Sequence, residues 1–167
     1  MRIKETKVYQ FDELTEKAKE KALEELYDIN VDYDWWTFTY EDASNIGLKL
    51  TSFDLDRNRH ANGEFILSPA EVAANIIRDH GEQCETYKTA QAFLDEINSL
   101  EMPDDDTDEF SEWENKMLEL EDEFLQSLLE DYSIMLQKEY DYQTSEEAIV
   151  ETIQANEYEF TEDGKLA

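Results

Sequence analysis

The chain has 167 residues, about one domain's worth, with 44 Asp and Glu against 14 Lys and Arg and a formal net charge of −30. That balance excludes direct nucleic-acid binding through phosphate contacts, which need cations, and sets the chain against anionic membrane surfaces. With 40% hydrophobic and 12% aromatic residues, and only 4 Gly and 2 Pro, the composition is that of an ordered globule with a real core.

The acid is unevenly spread. Residues 1–83 carry 18 acids and 10 bases, whereas residues 84–167 carry 26 acids and 4 bases. A basic protein partner, divalent cations or plain solubility are the explanations left open. Cys84 is the single cysteine, so no intrachain disulfide forms, as suits a reducing compartment. "MRIKETKVYQ" has no apolar signal-peptide core, and no apolar run reaches the roughly 18 residues of a membrane span. A soluble, cytoplasmic protein is expected, with no membrane partner.

In chain order, "IKETKVYQF" (3–11) reads as a short strand. Thr15 then caps a helix through "EKAKEKALEELYDI", in which Leu14, Ala18, Ala22, Leu26 and Ile29 recur at helical spacing. A second helix is expected over "DYDWWTFTYEDASNI", stopped by Gly47. In "LKLTSFDLDRNRHANGEFIL" the alternation of Leu48 and Leu50 falls out of phase with that of Phe53 and Leu55, which predicts a bulge near Ser52. "RNRHANG" supplies turn residues and "EFIL" a returning strand. "SPAEVAANIIRDHG" is the clearest local signal: Ser68 caps, Pro69 opens the helix, Glu71 completes a capping box, Gly81 stops it, and Val72, Ala73, Ile76 and Ile77 face the core. A helix at 86–100 turns Tyr87, Ala90, Leu94 and Ile97 to one side.

"EMPDDDTDE" breaks the pattern and reads as an exposed loop. A long helix from Phe110 to Tyr140 follows. Its seam is Phe110, Trp113, Met117, Leu120, Phe124, Leu128, Tyr132 and Met135, widened by Leu118, Leu125, Leu129 and Leu136. Thr144 and Glu147 form a capping box for a helix to about Asn156, and "YEFTEDGKLA" reads as a last strand with a turn at Asp163–Gly164. The expected fold is a single acidic α+β domain over 1–167. It has a small antiparallel sheet, with strands near 3–11, 48–56, 63–67 and 158–166, packed against five or six helices including the long central one.

"FDLDRNRHANGEF" (53–65) gathers carboxylates, amides and a histidine, but it does not make a calcium loop. Counting from Asp54 puts Arg59 where glycine is needed and Phe65 at the bidentate position; counting from Asp56 ends on Leu67. The strand reading, with Phe53 and Leu55 inward and Asp54 and Asp56 in water, is preferred to paired general acid–base catalysis. His60, His80 and Cys84 match no zinc spacing. A His80–Cys84 nucleophile pair would be interrupted by the helix stop at Gly81. There is no GxxxxGK or GxGxxG loop, and neither a catalytic residue, a metal ligand nor a cofactor is assigned.

"DYDWWTFTYEDA" concentrates aromatics. Trp35 and Trp36, being adjacent, would point about 100° apart on a helix, one into the core and one partly exposed as a potential interface anchor. The stretches "FDELTEKAKEKALEELYDINVD" and "YDWWTFTYEDASNIGLKLTSFDLDR", with the ending "NEYEFTEDGKL", resemble a family of small acidic proteins encoded by tailed phages and prophages. The resemblance covers residues 7–67 and the tail. Members are mostly of unassigned function, some labelled antitoxin-like. It implies a phage accessory protein acting in the bacterial host cytoplasm, and it brings no catalytic residues with it.

Residues 104–123 hold eleven acids and one lysine: Asp104, Asp105, Asp106, Asp108, Glu109, Glu112, Glu114, Glu119, Glu121, Asp122 and Glu123 against Lys116. As helix this is roughly one charge per 2.7 Å, against about one per 1.7 Å of DNA duplex. These carboxylates, with Trp35 and Trp36, are the expected partner-binding residues. The leading expectation is an inhibitor of a host nucleic-acid-binding defence protein, of anti-CRISPR or anti-restriction type, acting by protein–protein binding and DNA mimicry. Two alternatives are an antitoxin-like partner masking a basic toxin, and a metal-dependent phage enzyme of nucleic-acid metabolism using Asp54 and Asp56.

Overall fold

A computed structural model describes residues 1–103 and 108–167; the expected loop over "EMPDDDTDE" and the carboxylates Asp104, Asp105 and Asp106 fall wholly or partly outside the described residues. The fold is α+β, with helices α1 (Glu16–Glu25), α2 (Thr37–Ile46), α3 (Pro69–Asp79), α4 (Glu85–Ser99), α5 (Asp108–Gln143) and α6 (Glu146–Ala155). The strands are β1 (Tyr9–Gln10), β2 (Leu48–Asp54), β3 (His60–Phe65) and β4 (Glu159–Phe160). No single sheet joins the two chain ends to the middle. Instead β1 pairs with β4 and β2 pairs with β3, both antiparallel, as separate two-stranded sheets. The described residues divide into two compact units, one of residues 1–35 and 138–167, the other of residues 36–137.

In the first unit, Phe11, Leu14, Ala18 and Ala22 pack with Ile149, Ile153 and Phe160. Thr15 caps α1 by accepting from the Ala18 N–H. The strand expected over 3–11 shrinks to two residues, and residues 1–8 are exposed, because its partner β4 is itself only two residues long. β4 is cut short by the turn foreseen at Asp163–Gly164, where the Thr161 N–H donates to Lys165 O and the Gly164 N–H returns to Thr161 O. Gly164 sits at φ +90°, and a Cβ there would lie 2.2 Å from Ala18 O, so both the turn and the packing require glycine. The cap of α6 lies one residue beyond the expected Thr144. Ser145 accepts from the Ala148 N–H, while the Thr144 hydroxyl donates to Tyr140 O at the end of α5.

In the second unit α2 starts at Thr37, not at Asp32, with Trp36 as its N-cap residue. Bulky aromatic side chains lose rotamer freedom in a helix, and here the Trp36 ring meets Phe53 edge-on at 5.6 Å instead. Gly47, at φ +95°, ends α2 as expected. The β2–β3 register shifts between Leu50 and Ser52, which is the predicted bulge. The returning strand begins at His60 rather than at Gly63, so "HANG" is strand and not turn. The turn tightens early because Asp54 Oδ1 accepts from the Asp56 N–H at 2.8 Å, which seats Asp54 opposite His60. Ile66 and Leu67 then leave the ladder, both N–H groups reaching Gly47 O, and are exposed.

Helix α3 is capped as its sequence dictates: Ser68 and Glu71 exchange a capping box and Pro69 opens it. Its end differs. His80 is the C-cap in extended conformation, and Gly81 is not among the glycines at positive φ. On α4 the most buried residues are Thr86, Ala90 and Phe93, with Tyr87, Leu94 and Ile97 half-buried. On α5, Leu120, Phe124, Leu128, Leu129, Tyr132 and Leu136 are buried, while Leu118 and Met135 are exposed and drop out of the seam. Phe93 and Phe124 stack with centroids 4.3 Å apart and planes 3° apart, and Phe124 also meets Phe65 at 5.6 Å.

Candidate interaction surface

The carboxylates of α5 sort by helical phase. At about 100° per residue, Asp108, Glu112, Glu119, Asp122, Glu123 and Glu130 fall within an arc of roughly 100°, centred about 150° away from the seam of Phe110, Trp113, Met117, Leu120, Phe124 and Leu128. All six are exposed. Glu109 flanks the arc, whereas Glu114 and the half-buried Glu121 lie on the opposite side of the helix. Five of the eight described carboxylates of the acidic run, joined by Glu130, thus share one face, while Glu114 and Glu121 leave the helix elsewhere. From Asp108 to Glu130 the rise is about 33 Å, so the arc holds roughly one carboxylate per 6 Å. A single B-DNA strand holds about one phosphate per 3.4 Å. Two of the six carboxylates are matched: Lys116 lies 3.6 Å from Glu119 and Arg59 lies 2.8 Å from Glu130.

Arg59 matters locally. It comes from the β2–β3 turn, and its Nε also donates to Ser133 Oγ at 3.3 Å, so one of the chain's 14 bases ties the hairpin tip to α5. "FDLDRNRHANGEF" is therefore a hairpin whose turn is closed by Asp54 and anchored by Arg59. Among the described residues, no group of three or more His, Cys, Asp or Glu converges as a metal site.

The second unit also holds a polar network that the spacing of residues does not announce. The Tyr132 hydroxyl donates to Asp42 Oδ2 at 2.8 Å, and His80 Nε2 lies 3.3 Å from the same oxygen, off the line of a well-formed hydrogen bond. His80 Nδ1 meets Thr86 Oγ1 at 2.6 Å. Four helices, α2 to α5, are joined at this point. The His80 ring beside Asp42 holds its carboxyl below the usual carboxylate range, with Tyr132 adding to the effect and burial opposing it. Burial, with the Asp42 charge, pushes the Tyr132 phenol far up. Next along α5, Asp131 accepts from the Thr89 hydroxyl at 2.6 Å, yet burial raises its carboxyl, and Glu85 and Glu130 add to that rise. With its ring nitrogens facing Asp42 and Thr86, His80 ties the end of α3 to α2 and α4.

The expected aromatic anchors are half-buried rather than split into one buried and one exposed. Trp35 packs on Tyr140 at 5.6 Å in the first unit, and Trp36 on Phe53 in the second. In the same stretch Phe38, 84% exposed, and Tyr33, 62% exposed, stand in solvent. No helix among the described residues is long and apolar enough to cross a membrane. Comparison with known proteins gives no matching family, no matching curated protein and no matching solved structure.

Proposed function

We propose that this chain is an acidic inhibitory protein of tailed-phage or prophage origin. It would bind a basic, nucleic-acid-binding defence protein of the bacterial host and cover the cleft that normally holds nucleic acid. The observation that carries this is a face of six exposed carboxylates on α5, some 33 Å long and opposite the helix's apolar seam. An array of fixed negative charge speeds encounter with a basic cleft and rejects acidic partners. At about 6 Å per carboxylate the face is sparser than a DNA strand. The proposal is therefore electrostatic occlusion of the cleft, with mimicry in the sign and extent of the charge and not in phosphate-by-phosphate spacing. The same face would serve an antitoxin masking a basic toxin; competition with nucleic acid separates the two.

The test uses the full chain as bait in a bacterial lysate, with elution by graded salt and by duplex DNA. The captured protein should be basic and should be displaced by DNA. Replacing Asp108, Glu112, Glu119 and Asp122 by Asn and Gln should slow its association by roughly tenfold or more and flatten the salt dependence. A variant that associates as fast as the parent at low salt removes the arc from the interface and the proposal with it. A captured partner indifferent to DNA favours the antitoxin reading.

A further inference from the structure

The second unit holds a groove between α4 and α5, with a volume of about 320 Å³. Its floor is the apolar contact of Phe93, Leu120 and Phe124, all nearly buried. Its walls carry Glu96 from α4 and Glu123 from α5, both exposed. Lys88 also lines it, but its ammonium already lies 3.1 Å from Glu85. Among the described residues neither Glu96 nor Glu123 is in an ion pair. Glu123 also stands at the edge of the acidic arc, so the groove is continuous with the surface assigned to the partner.

We infer that this groove is the anchoring pocket for an arginine side chain of the basic partner protein. The inference rests on the reading given under Proposed function and adds where the partner is gripped. The charge is complementary: two carboxylates, one from each helix, line a groove with an apolar floor, and the one base that lines it is already matched. An arginine satisfies both features together. Its aliphatic stem packs along the floor while the head stays at the rim. Its planar guanidinium can donate to two carboxylates from one fork, which a lysine ammonium, compact and strongly hydrated, does less well. Arginine is also among the residues that most often carry binding energy at interfaces. The opening between α2 and β2, lined by Trp36, Tyr40, Glu41, Lys49 and Leu50, offers one charge of each sign and gives no such preference.

Two blocked peptides of equal length, one an Arg–Ser repeat and one a Lys–Ser repeat, are titrated into the ¹⁵N-labelled full chain at low salt. The Arg peptide should bind about tenfold more tightly, with the largest amide shifts at residues 88–96 and 120–127. Glu96→Gln with Glu123→Gln should abolish the Arg preference and bring both peptides to one affinity. Asp108→Asn with Glu112→Gln, which removes as much charge elsewhere on the face, should weaken both peptides alike and keep their ratio. Both pairs are exposed, so a thermal melt should show the fold retained. Equal binding of the two peptides by the parent chain, or a ratio untouched by Glu96→Gln with Glu123→Gln, overturns the groove while leaving the acidic face in place. If neither peptide binds, the groove and the acidic-face reading fall together.

Discussion

Two sets of carboxylates in the second unit are held in opposite ways. Asp108, Glu112, Glu119 and Asp122 stand in water on the outer arc of α5. Asp42 and Asp131 are half-buried, and each accepts a side-chain hydroxyl, from Tyr132 and from Thr89. The comparison teaches which charges the fold needs. Removing an exposed carboxylate relieves repulsion in a chain of net −30. Removing a half-buried one strands its hydrogen-bond partner. Only the outer set is free to be spent on a partner.

The largest effect on stability should follow from breaking the inner set. Asp42→Ala leaves the Tyr132 hydroxyl, on a residue with no exposed surface, without its acceptor and leaves His80 without its carboxylate. A loss of about 1–3 kcal/mol is expected, read by urea denaturation. Tyr132→Phe removes the donor but leaves the half-exposed Asp42 able to find water, so it should cost less. If Asp42→Ala were as stable as the fourfold arc variant, the distinction between the two sets would collapse.

Acid should sharpen the comparison further, because the two inner carboxylates shift in opposite directions. Asp42 is depressed in the fold, so its contribution is present above the unfolded pKa and is lost as pH falls through the lower folded value. Asp131 is raised, so the folded chain holds that proton more tightly than the unfolded one; stability from this group is gained as pH falls through its folded value. Melting temperatures are followed from pH 7 to pH 3 at fixed salt for the parent, Asp42→Asn and Asp131→Asn. Relative to the parent, Asp131→Asn should lack part of the gain on mild acidification, and Asp42→Asn should lack part of the loss in stronger acid. Identical curves for all three chains would remove both assignments.

How much of this was legible from the residues depended on how local each signal was. The α3 cap needs only Ser68, Pro69 and Glu71, three positions within one turn, and it was readable. The bulge near Ser52 showed as a phase slip within eight residues. The long helix was readable because its apolar seam repeats over many turns. What failed required distant partners. The length of β1 is set by β4, at the other end of the chain. The start of α2 is set where Trp36 finds Phe53. Among the candidate sites, the acidic run was plain in composition, and the sorting of most of it onto one face follows from helical phase. Asp42–Tyr132, 90 residues apart, and Arg59–Glu130, 71 apart, leave no local trace. The α4–α5 groove needs Phe93, and the 86–100 pattern gave that residue no inward role.

The smallest effect expected is on salt dependence, and it concerns the outer set alone. Exposed charges of one sign repel across distances comparable with the Debye length, about 10 Å at 0.1 M salt and about 30 Å at 0.01 M. The parent should therefore melt at a higher temperature as salt is raised from low to moderate. The variant with Asp108, Glu112, Glu119 and Asp122 neutralised carries four fewer charges and should start higher and rise less. Part of the gain is offset at Asp108, in the first turn of α5, where a negative charge favours the helix N-terminus by a few tenths to about 1 kcal/mol. Restoring Asp108 alone should then recover that fraction without restoring the salt slope. A parent melting temperature indifferent to salt would mean that the −30 is already balanced by bound counterions. The arc would then lose its claim to long-range steering, because a field too weak to destabilise its own fold is too weak to draw in a partner.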